Sequence, residues 1–557
     1  MSYSSSTNLH KPHTHTYKEA VCRFKRGFAR VTLADFTLIH LDKIRELPSY
    51  AYNVPFPKGE RNKFFLNTLG HLGGSNVKTL KYCLQHIRAG GGLVDSLNYV
   101  RLYDFDDDLE HEFNYSPEDY IQFCFKGRVK PSQLEPQNFD MFLQHAHINP
   151  DTSPGISYQV LGFKKKYEAY GLAMESVKKI WSLAGEGAPL PPILWKIATR
   201  PKLVEVDKAF EKVVTGKPVG RAIWVPDMEE GLLGQLFYEP LEQLLTGSPA
   251  DSEIAIGFDK EIHNVQLRSF ITSHPCQVSL DYSRFDASQR PKLIKYAFKI
   301  IRTLFQMSPQ EERIFDWIVS NFVESVVVLP NGDVIRKKGG TCSGSLFTSL
   351  IDSLVNIIVI RESLFLTRLV EKYDLFCYGD DGLISLTPKE GASGFKIKRK
   401  LIQTVANEFK LTLSPDDTRI TTVPFVQIVQ PVYKPQDIIE VQGSSDIHPV
   451  SFKYLTTEPT GPAQVDAREG LTHRWNYEYK KTWKFLSYYM KENGEMLRPA
   501  KDVQVRLANP EVPPKTFDEH LTRMKMSVLE NYNNSHVVNR LMYHFLDIWW
   551  LIEKGYK

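Results

Sequence analysis

The stretch Asp374–Leu386, DLFCYGDDGLISL, constrains the fold more than any other part of the chain. Two apolar, β-prone runs, LFCY and LISL, flank Gly379-Asp380-Asp381-Gly382. Such runs separated by a short Gly- and Asp-rich segment read as a hairpin, with glycines free to take the positive φ of a tight turn. The segment therefore asks for a sheet and sets two adjacent carboxylates at a hairpin tip. An ordinary Asp-Gly turn would satisfy it equally well when taken alone.

A second strand pattern lies upstream in QVSLDYSRFDAS, Gln277–Ser288. Val278 and Leu280 alternate with polar neighbours before Asp281, and Asp286 follows five residues later. A carboxylate at the end of a buried strand is costly unless a cation or a donor meets it. Carboxylate oxygens suit Mg²⁺, which is commonly held by one or two carboxylates plus substrate phosphates. Asp281, Asp380 and Asp381 on neighbouring strands would hold two ions roughly 3.5–4 Å apart, an arrangement suited to in-line phosphoryl displacement. Mg²⁺ is the expected cofactor, with Mn²⁺ as a substitute.

Between these segments runs GGTCSGSLFTSLIDSLVNIIVIR, Gly339–Arg361. Gly339, Gly340 and Gly344 allow backbone to approach a ligand closely. The helix predicted after them carries Leu346, Leu350, Leu354 and Ile357 on one face. Ser345, Thr348, Asp352 and Asn356 recur on another. A polar stripe on so apolar a helix must meet donors or a ligand; a capped surface helix explains the stripe but not the surrounding apolar residues.

DYSRFD, SGSLFTSLIDSLVN and YGDD, in that order, resemble motifs A, B and C of viral RNA-dependent RNA polymerases. The wording of the middle motif is closest to the partitivirus and picobirnavirus group of double-stranded RNA viruses. The spacings, 62 residues from Asp281 to Ser343 and 37 from Ser343 to Asp380, suit a palm domain. KVVTGKPVGRAIWVPDMEEGLLGQLFYEPL, from Lys212, resembles motif F, which implies that Lys217 and Arg221 grip the triphosphate of an incoming nucleotide. A planar guanidinium suits phosphate oxygens. DTSPGISY, Asp151–Tyr158, resembles motif G at the template entrance and implies RNA contacts from Thr152, Ser153 and Gly155. Lys164, Lys165 and Lys166 follow closely and read either as a solvated face or as backbone contacts to RNA.

The resemblance covers roughly residues 150–455 and implies a closed right hand, a mixed α+β fold. Its expected parts are fingers, a palm with an antiparallel sheet flanked by helices, and a mainly helical thumb, closed by finger–thumb contacts. Asp281 and Asp380 would bind both metals with Asp381 assisting. Asp286, Ser343, Gly344, Thr348 and Asp352 would surround the nucleotide, and Asn356 would share the ribose contact. A site built to hydrogen-bond a hydroxyl rejects the analogue lacking it. Two carboxylates, Asp286 and Asp352, on one ribose would repel unless one is protonated or bridged. In motif D, within NEFKLTLSPDDTRI, Asp416, Asp417 and Thr418 stand where relatives usually offer a lysine, leaving Lys410 or Arg419 as substitutes. VSFKYLT, Val450–Thr456, is the candidate primer grip.

Composition fits this reading without dictating it. The chain of 557 residues is 42% hydrophobic and 24% charged with a net charge of +4, which suits a globular protein of several lobes. The six cysteines lie far apart with no CxxC pair, so neither zinc nor a disulfide framework is suggested. No apolar run approaches the roughly 18 residues that span a bilayer. The expected layout is a flexible arm over 1–20, an extension joining the fingers over 21–150, fingers over 151–275, palm over 276–455 with a fingers insertion near 291–335, and thumb over 456–557. Within it, His10, His13 and His15, and the acidic run Asp104, Asp106, Asp107 and Asp108, read as solvated segments or as weak metal chelators. WNYEYKKTWKFLSYYMK and HVVNRLMYHFLDIWWLIEK look helical. The expected partners are template and product RNA, single- and double-stranded, nucleoside triphosphates and a viral capsid protein, with no membrane. The enzyme is expected as a monomer in the virion interior, in the host cytoplasm. Two rivals remain: a reverse transcriptase, which would carry a bulky aromatic where Asp286 stands, and a catalytically dead RNA-binding protein, whose aspartates should have decayed.

Overall fold

A computed structural model describes residues 28–30, 61–422 and 484–542, apart from 73–74, 91–92, 104–108, 247–250, 330–333, 491–495 and a few positions after 532. The histidine-bearing arm, the acidic run at 104–108 and the Val450–Thr456 segment lie outside the described residues.

The central element is a four-stranded antiparallel sheet. Its strands are β1 (Cys276–Leu280), β2 (Val370–Tyr378), β3 (Asp381–Pro388) and β4 (Arg419–Thr422), in the order β4-β1-β3-β2. Every residue of β1 is buried, as the apolar run before Asp281 demands. β2 and β3 form the hairpin expected from the Gly-Asp-Asp-Gly segment. Tyr378 pairs with Asp381 across a two-residue turn of Gly379 and Asp380. Gly379 has φ 59°, as a turn with glycine first requires. Gly382 is needed for closeness: a Cβ there would stand 2.7 Å from Leu280 Cδ1 and 3.1 Å from Asn356 Nδ2.

Two helices, α1 (Thr348–Thr367) and α2 (Gly394–Phe409), pack together beside the sheet. Residues from Leu350 to Leu364 on α1 are all buried, so its polar side chains must find partners inside the protein. A second sheet of five strands combines Phe28–Arg30, Val334–Lys337, Val326–Val328, Leu194–Arg200 and Arg221–Pro226. Val326–Val328 runs parallel to Leu194–Arg200, so the segment after 291 returns to pair with upstream chain. A separate core joins the helices Lys63–Leu72 and Ser75–Leu84 to Ala500–Ala508 and Phe517–Leu529. There the N–H of Asn62 donates to the Ala508 carbonyl at 2.9 Å.

Part of the aromatic-rich C-terminal stretch departs from the expected helix. Residues 484–490 form a small hairpin, β5 (Lys484–Phe485) and β6 (Tyr488–Met490), turning at Leu486 and Ser487. Phe485 and Met490 are buried against Phe376 and Leu383 of the central sheet. Aromatic residues favour such a half-buried pleated surface, and that tertiary contact overrides the helical spacing. Residues 537–539 and 541–542 are helical, as expected. Five cysteines among the described residues are free and buried. No described helix is long and apolar enough to cross a membrane.

Candidate active site

The carboxylates meet where β1 ends against the β2–β3 turn. Antiparallel pairing of β1 with β3 runs to Leu280 opposite Gly382, so the next step along both strands brings Asp281 beside Asp381. On the other flank Arg419 pairs with Ser279, and two further steps bring Asp417 alongside Asp281. The Asp281 N–H donates to Thr418 Oγ1 at 3.4 Å, and its carbonyl accepts from the Ser414 N–H at 2.8 Å.

The polar stripe of α1 clamps the turn. Asn356 Nδ2 donates to the carbonyls of Gly379 at 3.0 Å and Asp380 at 3.3 Å, and its Oδ1 accepts from the Tyr282 hydroxyl at 3.1 Å. Ser353 Oγ accepts the Gly379 N–H at 2.8 Å. Asn356, expected near the ribose, is thus committed to holding Asp380 in place. Thr348 Oγ1 donates to the Cys342 and Ser345 carbonyls at 2.7 and 2.8 Å, which starts the helix.

Crowded negative charge marks the centre. Burial first, then Asp380, pushes the Asp381 carboxyl up to about 7, with Asp281 adding to the effect and Lys484 opposing it. Asp281 is raised by burial, with Asp417 and Asp380 adding to it while Lys484 and Arg419 oppose. Burial and Asp380 raise Asp286 to about 6, against the pull of Arg221. Asp352 is raised well above the usual range by burial and by Asp286. Its Oδ1 accepts from Gln289 Nε2 at 2.6 Å and Thr341 Oγ1 at 2.7 Å. Asp286 thus adds to the upward shift of Asp352, while the Thr341 and Gln289 donors oppose it.

The upstream residues divide. Arg221 opens its strand close enough to Asp286 to lower that carboxyl, whereas Lys217 sits on an exposed loop. Ser343 Oγ accepts the Trp224 N–H at 3.3 Å, and a Cβ on Gly344 would fall 2.0 Å from the Trp224 carbonyl oxygen. The loop before α1 thus lies directly on the Arg221–Pro226 strand. Thr152 caps its own turn on the Asn149 carbonyl at 2.9 Å, and Ser153 Oγ accepts the Gly155 N–H at 3.4 Å. The lysine run also splits: Lys164 is exposed, Lys165 Nζ donates to the Asp151 carbonyl, and Lys166 turns inward near Glu230. Of the two motif D candidates, Arg419 bears on Asp281, while Lys410 caps the end of α2.

Lys484 escaped the sequence reading. It bears on both Asp281 and Asp381, and the neighbouring Leu486 N–H bonds the Asp381 carboxylate. It lies 103 residues beyond Asp381 in an aromatic-rich stretch, so no spacing pointed to it. Gln289 and Thr341 were missed for a different reason, being ordinary polar residues beside conspicuous motifs. Among the described residues no group of three or more His, Cys, Asp or Glu side chains is arranged to hold a metal ion, Asp281, Asp380 and Asp381 included. The donors are hard carboxylate oxygens whose mutual repulsion a divalent cation would relieve. That donor set fits an ion completing its shell with phosphates and water.

The class of the protein comes from sequence comparison. Residues 125–439, more than half of the chain, match the family described as viral RNA-dependent RNA polymerase. The chain belongs to that family. Among its relatives, the non-structural polyprotein 1AB of Turkey astrovirus 1 is 23% identical over 257 residues, 43% of this chain and 15% of the polyprotein. The genome polyprotein of Mengo encephalomyocarditis virus is 25% identical over 249 residues, 43% of the chain and 10% of the polyprotein. That of Feline calicivirus is 25% identical over 252 residues, 42% of the chain and 14% of the polyprotein. The chain spans only a small fraction of the length of these relatives.

Proposed function

We propose that this protein is an RNA-directed RNA polymerase joining nucleoside triphosphates to an RNA 3′-hydroxyl with release of pyrophosphate. One observation carries the reading: the register of β1 and β3 brings Asp281 beside Asp381, with Asp380 in the intervening turn held by Asn356 and Ser353. Asp281, Asp380 and Asp381 would hold two Mg²⁺ ions, or Mn²⁺, which when bound supply a lowered pKa at the attacking hydroxyl and neutralise charge on the departing pyrophosphate. Asp381 must give up its proton before it serves as a ligand. Arg221 and Lys217 take the triphosphate, while Asp286 faces the ribose with Asp352 behind it. Ser343, Gly344 and Thr348 shape the loop beneath the nucleotide. Thr152, Ser153, Gly155 and Lys164 to Lys166 lie along the template path.

The right-hand layout is part of the same proposal, with fingers over 151–275, palm over 276–455 and thumb from 456. The shared core of residues 62–84 and 500–541 supports closure of the hand. The narrower assignment to the partitivirus and picobirnavirus group rests on the wording SGSLFTSLIDSLVN, since the relatives above come from other viruses. With it go a double-stranded, segmented RNA genome, a capsid-protein partner, a monomeric enzyme and a place in the virion interior within the host cytoplasm.

The test is primer-independent extension by the purified chain on single- and double-stranded RNA with labelled nucleotides and Mg²⁺. Product should form from NTPs, and Asp380→Ala should lower the rate on the order of 10³-fold or more. Unchanged yield from that variant would sink the catalytic reading, and dNTP incorporation matching that of NTPs would point to a reverse transcriptase instead.

A further inference from the structure

Lys337 is fully buried, and burial pushes its pKa down; among the described residues no carboxylate pairs with it, and the group that favours its charged form is the Cys342 thiol, which also hydrogen-bonds it. Its ammonium donates to the carbonyls of Gly339 at 2.6 Å and Gly340 at 2.8 Å. It also lies 5.5 Å from the ring centroids of both Tyr103 and Trp224. An ammonium buried with no carboxylate beside it is costly; the Cys342 sulfur, two carbonyls and two aromatic faces offset only part of that. A methionine would fill the same space without the charge. The charge therefore matters for what it grips.

What it grips is the start of the loop leading to α1. Gly339 and Gly340 both have φ 68°, and a Cβ on Gly340 would lie 2.2 Å from Tyr103 Cδ1. From this loop the Gly340 N–H donates to the Gln289 carbonyl and the Thr341 N–H to the Asp286 carbonyl, each at 2.8 Å. Thr341 Oγ1 and Gln289 Nε2 then both bond Asp352 Oδ1. A path of hydrogen bonds thus runs from one buried ammonium, through two carbonyls and Thr341, to the Asp352 carboxylate and to the backbone of Asp286.

We propose that Lys337 is a positioning residue for ribose selection, fixing the Gly339–Thr341 loop so that Asp352 is held in place behind Asp286. This rests on the reading that those two carboxylates face the ribose. Lys337 touches no substrate; it acts through Thr341.

Single-nucleotide incorporation with NTP and dNTP in parallel tests the idea on the full chain. In Lys337→Met the preference for NTP over dNTP should fall roughly five- to tenfold, the effect of weakening about one hydrogen bond. The loss should come through a higher KM for NTP, with kcat within about twofold of the parent. Thr341→Val should reproduce it, and Lys337→Gln, which keeps one donor without the charge, should fall between. Thermal unfolding identifies variants that do not fold; if Lys337→Met is one, Lys337→Gln and Thr341→Val decide. Asp286→Asn separates the two levels. If it leaves the preference unchanged, the ribose reading fails and this inference with it. If it lowers the preference while folded Lys337 variants and Thr341→Val keep that of the parent, the role of Lys337 alone is overturned.

Discussion

Replacing Asp381 by Asn removes a carboxylate from the most crowded point of the centre, and the consequence is calculable. Burial, Asp380 and Asp281 together hold that carboxyl at about 7 against an ordinary 3.8, despite Lys484 and the Leu486 N–H. Ionising it in the folded, metal-free protein costs on the order of 4 kcal/mol. Because the side chain keeps some contact with water, the expected gain from Asp381→Asn is roughly 1–4 kcal/mol. The sign follows from linkage. Stability tied to the neutral carboxyl is fully present below about pH 4 and is lost as pH rises through about 7. The variant should therefore outlast the parent in denaturant by a margin that widens from about pH 4 and levels off near pH 8. Unfolding in EDTA at several pH values measures it. Adding Mg²⁺ should reverse the order, because a ligand of the folded state stabilises the protein that binds it better. A variant less stable than the parent at pH 8 without divalent ions, or a gap that ignores pH, would refute the reasoning.

Asn356→Ala should slow incorporation at saturating nucleotide while leaving NTP-over-dNTP preference within about twofold, since Asn356 holds the Gly379 and Asp380 carbonyls rather than the sugar; it should also cost about 1–3 kcal/mol in chemical denaturation, as its buried partners lose their bonds. Gly155→Ala forces a Cβ to within 2.3 Å of Asp227 Oδ1 and 2.5 Å of its Cα at φ 102°. A loss of roughly 2–4 kcal/mol and weaker template binding by fluorescence anisotropy are expected. Glu253→Gln breaks the buried pair in which Arg361 Nε donates to Glu253 Oε2 at 3.0 Å. It should lower stability by about 3–5 kcal/mol without altering nucleotide preference.

The parts of this centre legible in the sequence are those encoded locally. The β2–β3 hairpin, strand β1 and helix α1 each announce themselves through turn chemistry or apolar periodicity, and their order along the chain suggested that the carboxylates converge. The tertiary assignments were harder. The hairpin of β5 and β6 turns through Leu486 and Ser487 at φ 50° and 64°, without the Gly or Asn that signals such a turn, so its aromatic neighbours read as helix and Lys484 went unseen. The polar stripe of α1 was recognised, but its periodicity could not say which side chain meets which partner. Asp352 and Asn356 stand one turn apart on that buried helix. One bonds Thr341 and Gln289, and the other bonds the turn that carries Asp380. Since a packed helix moves as a unit, any displacement of α1 shifts both together. Under the proposed function, ribose contact through Asp352 and placement of the turn that carries Asp380 are linked through a single element, which gives the stripe a use for two different polar residues four positions apart.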